Sequence, residues 1–153
     1  MDDELADLAE AILGVGRELR LRADTGAAGP ATSDTAVVQL TASEAHVMRY
    51  IDHRPGVTPS DVARATGLQR SNLSTALRAL ERRGFVERRV DPHDARGINL
   101  FPTDRAADNL KLLRRQWATQ MKSAVGGEVK SAAAAKVLLE RIEAELIADR
   151  LNG

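Results

Sequence analysis

The chain contains no cysteine, which excludes a disulfide framework, a thiolate metal site and a thiol redox switch. No apolar run approaches the ~20 residues that cross a bilayer. The opening Met1-Asp2-Asp3-Glu4 is acidic where a secretory leader is basic, so a soluble cytoplasmic protein with no membrane partner is expected. An excess of one charge is missing too: 22 basic and 22 acidic side chains cancel. That balance excludes a polycation that coats nucleic acid nonspecifically, yet it permits a local basic face, because the field at a surface follows how charge is distributed. Catalytic signatures are also lacking. There is no Gly-x-Ser-x-Gly, no glycine loop after a strand to cradle phosphate, and no histidine flanked by a carboxylate–serine pattern. His46 and His53 lie seven residues apart and His93 stands far from both. No acidic or thiol cluster joins them, so neither a metal, a cofactor nor an enzyme is expected.

What is present is helical periodicity. At 153 residues the chain suits one compact domain. Leu5, Leu8, Ile12, Val15 and Leu19 recur at steps of three and four, which predicts a helix over about 3–23. The polar stretch Asp24 to Asp34, with two glycines and a proline, reads as a loop. Val37 to Leu40 fits either a minor strand or an extended lead-in. Thr41-Ala42-Ser43-Glu44 has the pattern of a capping box, opening a helix with Ala45, Met48 and Ile51 inside. Thr58-Pro59-Ser60-Asp61 opens a second, short helix carrying Val62, Ala63 and Ala65. A third runs from about Gln69 to Arg83 with Leu73, Ala76, Leu77 and Leu80 on one face, and Gly84 ends it. Two strands follow, Phe85–Val90 and Gly97–Phe101, around the turn-forming Asp91 to Arg96. Helices over about 103–125 and 128–151 complete the chain, broken by Gly126-Gly127 and carrying apolar stripes of their own.

Two short helices joined at Ala65-Thr66-Gly67-Leu68 form a helix-turn-helix. The apolar face of its second helix leaves Gln69, Arg70, Ser71, Asn72, Ser74, Thr75, Arg78 and Arg82 pointing outward. Hydroxyls, amides and arginines of this kind reach base edges and phosphates, although the same face also suits plain solvation. The hairpin that follows fits a wing. Arg96 at its tip suits a narrow minor groove, and Asp94 stands two residues away to brace it. Of Arg88 and Arg89, strand alternation turns only one toward DNA. An ordinary surface ion pair between Asp94 and Arg96 is the plainer alternative.

These residues resemble the multiple-antibiotic-resistance regulator (MarR) family. The resemblance rests on Leu40-Thr41, Gly67-Leu68, Leu80-Glu81-Arg82-Arg83-Gly84-Phe85-Val86 and Asp94-Ala95-Arg96, with Phe101-Pro102-Thr103 in place of the usual Leu-Thr helix start. It covers about Thr41 to Leu110. Ala95 departs from the arginine frequent between the wing Asp and Arg, and Ala106 or Ala107 replaces a glycine. The resemblance implies a mainly α fold with a small β-hairpin wing, a DNA-binding lobe over about 41–102, and dimerisation helices over about 3–23 and 103–151. It implies an obligate homodimer on a pseudo-palindromic duplex, acting as a repressor relieved by a small aromatic or anionic effector. The unpartnered stripes at Leu5–Leu19 and Ala135–Leu146 agree with a dimer, while packing of the terminal helices on each other is the alternative. His46, Arg49, Tyr50 and Trp117 are the candidate effector-binding residues. A winged-helix module that docks on protein rather than DNA is the competing function.

Overall fold

A computed structural model describes residues 1–26, 37–90 and 97–152. Helix α1 (Asp2–Gly26) opens on Asp2, Asp3 and Glu4, where carboxylates meet the positive end of the helix dipole. It runs past the expected end at Ala23 into the stretch expected to be a loop, and the remainder of that stretch from residue 27 lies outside the described residues. Val37–Leu40 forms no strand. This lead-in is held by one side chain of the fifth helix: the Val38 N–H donates to Asn109 Oδ1 at 2.7 Å, and Asn109 Nδ2 donates to the Val38 carbonyl at 3.2 Å.

Helix α2 (Ala42–His53) carries both halves of its capping box. The Glu44 N–H donates to the Thr41 hydroxyl at 3.3 Å, and the Thr41 N–H donates to the Glu44 carboxylate at 2.9 Å. The buried face is Glu44, Val47, Met48 and Ile51, and Ala45, expected inside, is exposed. The Glu44 carboxylate, drawn inside, accepts from Arg83 Nη1 at 2.9 Å, and with Val47 also buried the face is displaced toward the Glu44 side while Met48 and Ile51 stay inside as expected. Helix α3 (Pro59–Thr66) starts at a second capping box, Thr58 with Asp61, and stops at Gly67, whose φ of 68° is left-handed. Helix α4 (Arg70–Arg82) buries Leu73, Ala76, Leu77 and Leu80 as its spacing requires.

The end of α4 shows why the chain turns into the hairpin. The Gly84 N–H donates to the Glu81 carbonyl and the Phe85 N–H to the Leu80 carbonyl, both at 2.9 Å. This is a Schellman motif, with glycine in the left-handed region and both Leu80 and Phe85 in the core. Phe85 is thereby carried into the core. Strand β1 (Val86–Val90) pairs antiparallel with β2 (Ile98–Pro102), Arg88 opposite Leu100 and Arg89 opposite Asn99. A bridge from Val57 to Leu100 ties the α2–α3 connection to the hairpin. The core among these elements contains Val47, Ile51, Val62, Leu77, Leu80, Phe85 and Leu100.

The terminal helices stand apart from that core. Helix α5 (Asp104–Val125) buries only Ala106 and Asn109 in its first two turns, and α6 (Val129–Asn152) buries nothing. Leu5 is 61%, Val137 66% and Leu146 64% exposed. Among the described residues, no helix is long and apolar enough to cross a membrane.

Candidate nucleic-acid interface

The outward face of α4 follows from its inward face. With Leu73, Ala76, Leu77 and Leu80 committed to the core, Gln69, Arg70, Ser71, Asn72, Ser74, Thr75, Arg78 and Arg82 are all exposed. The first turn holds no acidic residue, and the N-cap Gln69 makes no side-chain cap bond, so α4 opens without a carboxylate to repel phosphate. Thr75 donates its hydroxyl back to the Ser71 carbonyl at 3.0 Å, which occupies that proton within the helix. The one acid on α4, Glu81, is half-buried and faces the hairpin, where it pairs with Arg88 and leaves Arg70, Arg78 and Arg82 to the outer face.

The hairpin arginines are placed differently from each other. Arg88 shares a face with Val86 and Leu100, the side turned to the core and α4, and its Nε donates to Glu81. Arg89 shares the opposite face with Phe101, lies 4.3 Å over that ring, and donates to Glu87. Alternation therefore separates the two as strand geometry requires, and each already holds a carboxylate. Arg96 and Asp94, with the rest of the tip, lie outside the described residues.

Several contacts brace this surface, and the linear pattern gives no signal for the long-range ones. Arg83 bridges the end of α4 to the start of α2, donating to Glu44 and, at 2.5 Å, to the Gln39 carbonyl. The Arg83 and Arg105 guanidiniums each lie 5.6 Å from the Phe85 ring. At the start of α3 the Thr58 hydroxyl donates to Asp61 at 2.7 Å, and this bond holds the Asp61 carboxyl below the usual aspartate range. Burial pushes the Asp52 carboxyl up, partly opposed by the neighbouring His53.

The candidate effector residues lie on two helices, α2 and α5. His46 is exposed on α2, and Tyr50 is half-buried beneath the Arg54 guanidinium, 5.7 Å from its ring centre. Arg49 is paired with Glu143 at 2.6 Å. Trp117 on α5 is 39% exposed. A cavity of about 330 Å³ lies elsewhere, between α1 and α5, lined by Gly14, Val15, Glu18, Leu19, Gln120, Met121 and Ala124. The Gln120 Oε1 is buried and without a hydrogen-bond partner. Among the described residues no cluster of His and acidic side chains is able to hold a metal ion.

Comparison with known proteins matches this arrangement. Residues 38–97 fit the sequence model of the MarR family. The fold is similar to FabT from Streptococcus pneumoniae in complex with DNA, at 21% identity and a TM-score of 0.65 over 91% of this chain and 96% of that one. It is similar to a mutant of MepR from S. aureus bound to an oligodeoxyribonucleotide, at 20% identity and a TM-score of 0.60 over 90% and 96%. It is also similar to the transcriptional repressor CouR bound to a 23-mer DNA duplex, at 27% identity and a TM-score of 0.52 over 67% and 75%. A search of curated protein sequences returns no match.

Proposed function

We propose, from the fit of residues 38–97 to the MarR family model, that this chain is a MarR-type transcription regulator: a homodimer that reads a pseudo-palindromic operator, represses from it, and is released by a small aromatic or anionic effector. The observation that carries the DNA-binding part is the outer face of α4. It exposes Arg70, Arg78 and Arg82 among amides and hydroxyls, and its single carboxylate is turned away. Asn72, Ser71 and Arg70, near the start of the helix, are assigned to base edges, where amides and guanidiniums make paired hydrogen bonds. Arg78 and Arg82 are assigned to phosphate, with Gln69, Ser74 and Thr75 around them. Arg88 and Arg96 are assigned to the wing's contact with the duplex, and Asp94 to bracing its tip.

Dimerisation is supported by the bare apolar positions of α1 and α6, including Leu5, Val137, Leu139 and Leu146. Faces of this kind on a soluble chain are normally covered. Release by an effector is assigned to Arg49, Tyr50, His46 and Trp117, on the elements where the lobe meets the terminal helices. A ligand acts there only by binding two conformations unequally.

The test is a set of binding isotherms on duplexes from upstream of the protein's own gene, with scrambled controls. The wild type is expected to bind a two-fold site with half-sites about one helical turn, ~10 bp, apart. Asn72→Ala is expected to relax preference at one position per half-site, a loss of roughly 1–3 kcal/mol of discrimination. Binding that is absent even at low salt would instead identify a protein-docking module.

A further inference from the structure

Helix α6 has no fully buried side chain, and two arginine contacts tie it to the DNA-binding lobe. Near its end, Arg150 Nη1 donates to the Arg64 carbonyl at 3.0 Å and Arg150 Nη2 to the Ala65 carbonyl. Both acceptors lie in the last turn of α3, where carbonyls have lost their helical donors. The N–H of Leu68, for example, turns to the Thr66 hydroxyl at 3.4 Å. A guanidinium fork satisfies two adjacent carbonyls with one planar group, and its charge suits the negative end of α3. Gly67 makes the room: a Cβ there would stand 3.1 Å from Arg150 Nη1. The second contact is Glu143, which accepts from Arg49 Nη2 of α2 at 2.6 Å. Glu143 precedes Arg150 by seven residues, about two turns, so both lie on one stripe of α6.

We propose that Arg150 and Glu143 form a two-point latch through which α6 sets the angle of the helix-turn-helix, and so the half-site spacing that the dimer accepts. The inference rests on the dimeric DNA-binding reading above. Its logic is leverage. Arg150 grips the carbonyls of Arg64 and Ala65, and the recognition helix begins at Arg70, immediately beyond the Gly67 turn. In a dimer built on the terminal helices, α6 belongs to the fixed frame. The contacts it makes with α2 and α3 then decide how far apart the two copies of α4 stand. Arg150 is thus a positioning residue that need not touch DNA.

The experiment begins with duplexes selected from a random library by the full-length wild type. Affinity is then measured across variants of the selected site in which the half-sites are moved apart or together by one or two base pairs. The wild type is expected to lose roughly tenfold or more on each misplaced spacing, comparable to a mismatched base pair. Arg150→Ala is expected to remain dimeric by light scattering yet to bind all spacings within about threefold of one another, a small fraction of that discrimination. Arg150→Lys, which keeps the charge and part of the donor set, should recover part of the preference. Glu143→Arg should flatten it, and adding Arg49→Glu to Glu143→Arg should restore it. Should Arg150→Ala unfold, the Glu143 and Arg49 exchange still decides the matter. Wild-type spacing preference in Arg150→Ala, or equal weakening on every spacing, overturns the latch. A wild type that selects no duplex overturns the functional reading and the latch with it.

Discussion

Arg88 illustrates how a cation on the proposed DNA face is already engaged in the free chain. Its Nε donates to Glu81 on α4, so a phosphate must compete with a carboxylate already in place. Glu81→Gln removes that competitor while keeping the shape. The expected outcome is tighter duplex binding and a steeper fall of log affinity with log salt, by up to about 0.9 for one additional phosphate contact. A salt series of isotherms checks this, and an unchanged slope would take Arg88 off the interface. Asp61 provides a second single-residue test. Its carboxyl is held below the ordinary value by the Thr58 hydroxyl, so the folded state favours the ionised form. The stabilisation is whole above the unfolded aspartate value and is lost as pH falls through the lower folded one. Thr58→Ala is therefore expected to cost about 1 kcal/mol at neutral pH, as loss of an N-cap does. Denaturant melts should show that difference narrowing below about pH 4, where aspartate begins to protonate.

Among the secondary-structure elements, local chemistry is written in the chain wherever donors and acceptors lie a few residues apart. Thr41 with Glu44, Thr58 with Asp61, and Gly84 after α4 are legible because capping and left-handed turns depend on residue type at fixed offsets. The polar outer face of α4 is legible for the same reason, since the apolar period dictates it. Two features escape. Periodicity puts Ala45 inside α2, but Glu44 is buried instead, paired with Arg83, which lies 39 residues away. The grip of Arg150 on Arg64 and Ala65 reaches across more of the chain than the whole lobe occupies, and no periodicity encodes such a contact. The Schellman end of α4 yields a prediction of its own. Gly84→Ala meets only an ordinary contact, Arg105 Cδ at 3.8 Å, but must keep a φ of +71°. The cost expected from that backbone alone is roughly 1–2 kcal/mol, and Gly84→Asn should cost less. Thermal melts of the two variants check the order.

For the molecule as a whole, the contrast between a packed lobe and bare terminal helices is the feature with the widest consequence. The lobe has a core of its own, centred on residues such as Phe85, Leu80 and Leu100. The helices α1 and α6 leave Leu5, Val137 and Leu146 mostly open to water in the single chain. If a second copy closes those faces, folding and assembly become one equilibrium, and mass action enters stability. The melting midpoint should then climb as total protein is raised, because each dimer formed draws on two chains. Differential scanning at several dilutions reads this directly, and a midpoint indifferent to dilution would mean that the terminal helices are content alone. Placing Asp at both Leu139 and Ile142 should abolish the dependence by burying unpaired charge in the seam. In the proposed dimer the same coupling sets a threshold in copy number. Below it, chains would be solitary, with the apolar faces of α1 and α6 bare; above it they would persist as pairs, so operator occupancy would rise more steeply than the amount of protein made.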